Sequence, residues 1–372
     1  MILDSGAQNR ALSCAGQRAA AWRSCAVGRL RRRQGGRTTV NWQQAVCAGL
    51  LALLCAAADP RAQAAEAPML WQVSAGEHRM LVLGSLVPLP ASLRWNQAPL
   101  AAALSEAEVL LEPPGVELQG GLAWLGAAWR LPTLLRARNN PGRRTLAEVL
   151  PSELFERWER QRLRYFGASD SLQYRRPLVA AEQLQQRAMD RFGLELDNPV
   201  AEQVVRLARR HGVERVQTAL PLPLDPLNAY LDAVAGQSID DLACFERLLK
   251  RIEAGPERLY AKAEAWRRGA LAALLSEPLG DALAVCVQAL LAHPAARTHG
   301  LHDLPQRARQ RWLEIAEQTL HQRRRSVAVL PLSLVLGDTG YLAELRRRGF
   351  EVEPSLSGLD DGLPERAALS QR

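Results

Sequence analysis

"MLWQVSAGEHRMLVLGSLVPLP", residues 69–90, is the stretch on which the reading of the fold turns. Two apolar runs flank Gly76-Glu77, a turn pair, so the segment reads as a β-hairpin. Its second run closes on Gly84-Ser85, a strand end of the kind at which enzymes hold a reactive or metal-binding side chain. Here that turn delivers Val87, an aliphatic. The chain therefore describes either an enzyme with its chemistry elsewhere or the frame of one without it.

Working outward, "PLAAALSEA" reads as a short helix and "EVLLEP" as a strand ending at Glu112, halted by Pro113-Pro114 and followed by a loop, "PPGVELQGG". From about residue 123 to 210 the apolar spacing becomes helical, with Phe155, Trp158, Leu163 and Phe166 expected to face a core. "NPVAEQVVRLARRHG" is a helix that feeds a strand, "VERVQTAL", and "LPLPLDPLN" reads as a Pro-rich loop. Ser238 and Asp241 form a capping start for the helix "SIDDLACFERLLKRIEAG"; Gly255 stops it and Pro256 opens the next. Two further helices lie around "DALAVCVQALLAH" and "ARQRWLEIAEQTLHQRR". Strands return in "SVAVLPLSLVLG" and "FEVEP", around a helix "TGYLAELRRRG". The fold class that follows is α/β (α+β): a mixed central sheet built from N- and C-terminal strands, with a large helical block inserted between them.

The formal charge of +8 is concentrated in residues 1–64, where nine arginines stand against only Asp4 and Asp59. The remaining residues carry 38 basic and 37 acidic side chains, so the body has no electrostatic footprint for nucleic acid. In that first segment "RLRRRQGGR" (29–37) precedes the apolar run "AVCAGLLALLCAAA" (45–58) and then Ala62-Gln63-Ala64, an A-x-A cleavage site. This order predicts a Sec-type signal peptide over 1–64, cleavage after Ala64 and a periplasmic or secreted protein. A start codon placed too far upstream would account for residues 1–26. The competing reading is a membrane anchor, although the run is short for a bilayer core of about 30 Å. No transmembrane span is expected after cleavage; residues 65–358 are expected to form one domain and 359–372 a polar tail. Four of the six cysteines would leave with the signal, and Cys244 and Cys286 remain as a candidate disulfide or as two unpaired buried thiols. The 45 arginines against Lys250 and Lys262 fit the coding bias of a GC-rich bacterium better than any function.

With these elements in place the sequence resembles the TraB/GumN family, related to the Tiki proteases and more distantly to the erythromycin-esterase and ChaN-like groups. The residues that carry the resemblance are the opening hairpin, "SEAEVLLEP" and the C-terminal "GDTGYLAELRRRGFEVEP", in order from about residue 69 to 354. The resemblance implies a metal-dependent hydrolase, in which two Gly-x-x-His motifs at strand ends and a Glu after the third strand hold a divalent ion that activates water. Here the first motif is Gly84-Ser85-Leu86-Val87 and the second Pro331-Leu332-Ser333-Leu334, so both histidine positions are aliphatic. The Trp-x-x-Gly-Asp of the family stands as Trp266-Arg267-Arg268-Gly269-Ala270, and its Arg-Asn-x-x-Trp as Ala308-Arg309-Gln310-Arg311-Trp312. The expected Leu-Glu-Thr has no counterpart in "RVQTALPLPL".

The remnant of the family cleft is Gly84, Val87, Glu112, Leu334 and Gly337, and of the donors the resemblance implies Glu112 survives alone. No catalytic or metal-binding residue is assigned and no cofactor is expected. The six histidines fall in predicted turns or helix ends; His299, His302 and Asp303 have a spacing that would bind metal only if their loop folded back. The expectation is an exported pseudoenzyme that binds or scaffolds an unknown protein or a small apolar ligand. The alternative is a metal-dependent hydrolase or peptidase with relocated ligands around Glu112, and a purely structural role is a third reading.

Overall fold

Gly76, at φ +60°, turns the chain between β1 (Leu70–Ala75) and β2 (His78–Ser85), whose antiparallel register closes on Ala75 opposite His78. The computed structural model describes residues 66–119, 133, 136–276 and 282–355. The expected signal segment and polar tail lie outside the described residues. After the hairpin come β3 (Leu89–Pro90), α1 (Ala98–Glu106), β4 (Val109–Leu111) and β5 (Val116–Gln119). The middle of the chain holds α2 (Leu146–Val149), α3 (Ser152–Phe166), α4 (Pro177–Phe192), β6 (Leu194–Glu195), α5 (Pro199–Arg210), β7 (Glu214–Val216), β8 (Leu220–Pro223) and α6 (Leu224–Val234). It continues through α7 (Leu242–Glu253), α8 (Gly255–Arg267), α9 (Leu271–Leu275), α10 (Ala282–Ala292), α11 (Pro294–Thr298) and α12 (Leu304–Gln322). The end is β9 (Arg325–Pro331), α13 (Leu332–Val335), α14 (Tyr341–Arg347) and β10 (Glu351–Pro354).

Six strands form one mixed sheet in the order β10-β1-β2-β9-β4-β7, drawn from both ends of the chain with β7 added from the middle. β1 runs antiparallel to β10 and β2, whereas β2, β9, β4 and β7 are mutually parallel. Parallel strands covered on both faces need continuous apolar sequence rather than alternation. That is why "VLL" of β4 and "SVAVL" of β9 are buried throughout. The register sets Ser85 against Pro331 and Leu111 against both Ala328 and Val216, so the parallel strands end along one edge. In open α/β sheets the carboxyl edge is where ligands bind.

The helical block has its own core, in which Trp158, Leu184, Met189, Phe245 and Leu249 are buried. Cys244 of α7 and Cys286 of α10 are bridged there, with Cα atoms 4.7 Å apart. On α3 the inward stripe is Trp158, Arg162 and Tyr165, spaced four and then three residues apart. Leu163, expected in that core, is 51% exposed, because it follows Arg162 around the helix and so leaves the stripe.

Four local expectations are corrected. "VELQ" and "LPLP", read as loop, pair in parallel as β5 and β8, and "LDPLN" opens α6. β9 stops at Pro331, so Leu334 lies on the short helix α13 and not at a strand end. His78, expected in a turn, begins β2, and its ring Nδ1 lies 2.7 Å from the Leu320 carbonyl. Asp241 precedes α7 without capping it by a side-chain bond; its carboxylate accepts instead from the Leu178 N–H in the first turn of α4, 2.8 Å away. Burial pushes the Asp241 carboxyl up, and that hydrogen bond and Arg176 pull against the shift.

Candidate functional site at the carboxyl edge of the sheet

Two tryptophans hold the strand ends that carry the site. The indole of Trp266, in α8, donates to the Gly84 carbonyl at 2.7 Å, and that of Trp312, in α12, donates to the Glu112 carbonyl at 3.0 Å. Both rings are buried, and Trp266 meets Trp95 edge to face at 5.7 Å. The Thr218 hydroxyl lies 2.9 Å from both the Glu112 and Pro113 carbonyls and donates to one of them. A buried carbonyl left without a donor costs about 1–3 kcal/mol, so these bonds fix where β2 and β4 end.

Gly84 is required by packing rather than by turning. A Cβ there would stand 2.7 Å from Leu332 Cδ1 and 3.0 Å from the Trp71 ring. Beside it, the buried Ser85 hydroxyl donates to Leu330 O at 3.3 Å and accepts from Asn198 Nδ2 at 2.8 Å. Asn198 also caps α5, its Oδ1 accepting from Ala201 N at 3.0 Å, so one side chain locks α5 to the end of β2. Val87 sits beyond this point and is 36% exposed. Leu334 is half-buried and packs against the main core. Gly337, at φ +87°, turns the loop after α13, and Arg309 ties that loop down by donating to the Thr339 and Gly340 carbonyls. The same guanidinium stacks 5.1 Å from the centre of the Tyr341 ring. Burial pushes the Tyr341 hydroxyl up to about 12.

Of the expected remnant, Glu112 lines a cavity. The cavity, about 400 Å³, has walls of Leu110, Leu111, Val205 and Val329, and Glu112, Glu202, Arg206, Arg209 and Arg215 at its rim. Arg215 of β7 is the partner sequence reasoning missed: its Nε donates to Glu112 Oε1 at 2.7 Å, with a second, shorter contact from Nη2. Glu202 pairs with Arg206 at 3.3 Å. The signal for Arg206 and Arg209 was present in the sequence, since α5 is strongly amphipathic and ends in "RLARR".

These residues do not fit a divalent metal held in the manner the resemblance implies. Val87 and Leu334 have no lone pair to donate, and the Glu112 carboxylate is engaged by a guanidinium. Among the described residues no group of three or more His, Cys, Asp or Glu side chains is placed to hold an ion, so His299, His302 and Asp303 do not converge on a metal-binding set.

The model of the TraB/PrgY/gumN family matches residues 69–354. The chain belongs to this family. No curated protein and no solved structure matches it. Membership gives the changed motifs a physical reading. In Trp-x-x-Gly-Asp, the retained Trp266 holds Gly84, and the retained Gly269 has φ +69° with its Cβ position only 2.5 Å from Ala67 O. The lost acid, now Ala270, supports nothing comparable. In the second motif Trp312 is kept for its bond to Glu112, and Arg309 at the Asn position anchors the Gly337 loop. Trp266, Gly269 and Trp312 of the family pattern persist and hold the frame, whereas of its electron-pair donors Glu112 persists and the two histidine positions are aliphatic.

Proposed function

We propose that this chain is an exported, non-catalytic member of the TraB/PrgY/gumN family whose carboxyl-edge cavity binds a small ligand with an apolar body and a polar end. The observation that carries the reading is the state of the old site: aliphatics at Val87 and Leu334, and Glu112 committed to Arg215. Apolar walls with a few polar groups at the rim are the ordinary make-up of a ligand pocket. Export is supported by the order of basic run, apolar run and A-x-A in residues 29–64, and by a disulfide, which persists in oxidising compartments. Among the described residues no helix is long and apolar enough to cross a membrane.

The experiment is expression of the full chain in a Gram-negative host, native purification, and three measurements: N-terminal sequence, bound small molecules by native mass spectrometry, and hydrolysis of generic peptide and ester substrates. The expected result is a chain beginning near Ala65 with no turnover above background and a co-purifying small molecule that Val205→Arg excludes. Turnover that chelation abolishes and a divalent ion restores would establish the alternative, a hydrolase with relocated ligands around Glu112.

A further inference from the structure

A second concavity, away from the sheet edge, is basic where the body of the molecule is close to neutral. Its volume is about 610 Å³, within the roughly 300–1,000 Å³ of small-molecule sites. Arg136, Arg143 and Arg175 line it with Asn139, Ser171 and Tyr174, and no carboxylate is among its described lining residues. In a body carrying 38 basic and 37 acidic side chains, three guanidiniums around one hollow without an acid are a local excess that an anion would neutralise.

Two of these arginines, Arg143 and Arg175, are also held in place. Asn140 is buried and its Nδ2 donates to Arg144 O at 3.0 Å and to Arg175 O at 2.9 Å, clamping the two loops that form the walls. Backbone bonds from Asn140 N to Tyr174 O and from Arg176 N to Arg138 O reinforce the clamp. The Arg175 guanidinium is aimed by Asn139 Oδ1 at 2.9 Å. Arg143 stands at φ +55°, the one non-glycine with positive φ among the described residues, and its guanidinium lies 5.4 Å from the centre of the Tyr174 ring. A side chain held in left-handed backbone is strained, and such strain concentrates at ligand clamps.

We propose that this pocket binds a soluble, phosphorylated small molecule carrying at least two negative charges. A planar carboxylate satisfies one guanidinium fork, whereas a phosphate group offers several charged oxygens to arginines approaching from different sides.

Inorganic pyrophosphate is the probe, titrated calorimetrically into the natively purified mature protein. Saturable binding at one site per chain is expected, with citrate weaker. Arg136→Gln with Arg143→Gly removes two guanidiniums and relieves the positive φ, and should raise Kd on the order of tenfold for each lost guanidinium. Arg79→Gln with Arg324→Gln, exposed positions at the amino-terminal ends of β2 and β9 that do not line the pocket, should leave Kd unchanged. Independently of any variant, pyrophosphate should protect Arg136, Arg143 and Arg175 of the wild type from phenylglyoxal, read by peptide mass mapping. No saturable binding, equal loss in the control variant, or protection spread evenly over surface arginines would overturn the proposal.

Discussion

Trp266→Phe tests whether the indole bond to Gly84 holds the site's frame. The substitution deletes the donor to a buried carbonyl 2.7 Å away, at about 1–3 kcal/mol. It also removes three ring atoms from a side chain only 1% exposed, about 2 kcal/mol by transfer and cavity terms. The expected loss is about 3–5 kcal/mol, or ~6–20 °C in Tm for a domain of this size. Two comparisons make the number specific. Trp312→Phe should cost less, because the Thr218 hydroxyl stays within reach of the Glu112 carbonyl. Val87→Ala, at a position 36% exposed, should stay within about 0.5 kcal/mol of wild type. Urea denaturation of the oxidised proteins followed by far-UV circular dichroism gives all three values. A Trp266→Phe protein within about 0.5 kcal/mol of wild type would refute the argument that this tryptophan persists to hold the strand end.

Two further outcomes are expected. Cys244→Ser with Cys286→Ser opens a loop of sequence separation 42, which should cost about 4 kcal/mol by chain entropy, and the wild type should lack 2 Da in non-reducing mass analysis; two alkylatable thiols in the denatured wild type would contradict the bridge. Hydrogen bonds from Arg267, and then from Arg268, hold the Glu264 carboxyl down from 4.5 to about 2. A lowered folded value contributes stability in full above about 4.5 that is lost as pH falls through about 2, so Glu264→Gln should lower Tm at pH 7 and the gap should close toward pH 2; a gap independent of pH would show that the ion pairs contribute nothing.

Much of the frame was legible because apolar pattern and turn chemistry agree within it. The hairpin around Gly76, the continuous apolar runs of β4 and β9, and the helices flanking Gly255 need only local signals. β5 and β8 were not legible, since their few residues sit among prolines and pair only with each other, over a hundred positions apart. Leu334 was misplaced because "PLSLVL" carries β-like composition, while the chain past Pro331 closes a single helical turn. The loss of metal ligands could be read position by position against the family motifs. The engagement of Glu112 by Arg215 could not, because nothing in "EVLLEP" or "VERVQ" says that two neighbouring parallel strands will bring those side chains together. The same holds for Asp241, whose local context marks a cap while its partner is the Leu178 N–H of another helix.

The central claim is that this member of the TraB/PrgY/gumN family carries no metal-binding donor set at the carboxyl edge of its sheet, and calorimetric titration of the natively purified, chelator-treated protein with Mn²⁺, Co²⁺ and Zn²⁺ tests it most directly. The wild type should show no stoichiometric binding. Val87→His with Leu334→His should gain weak affinity, and adding Arg215→Gln should strengthen it by releasing Glu112. Tight one-to-one binding by the wild type would contradict the account.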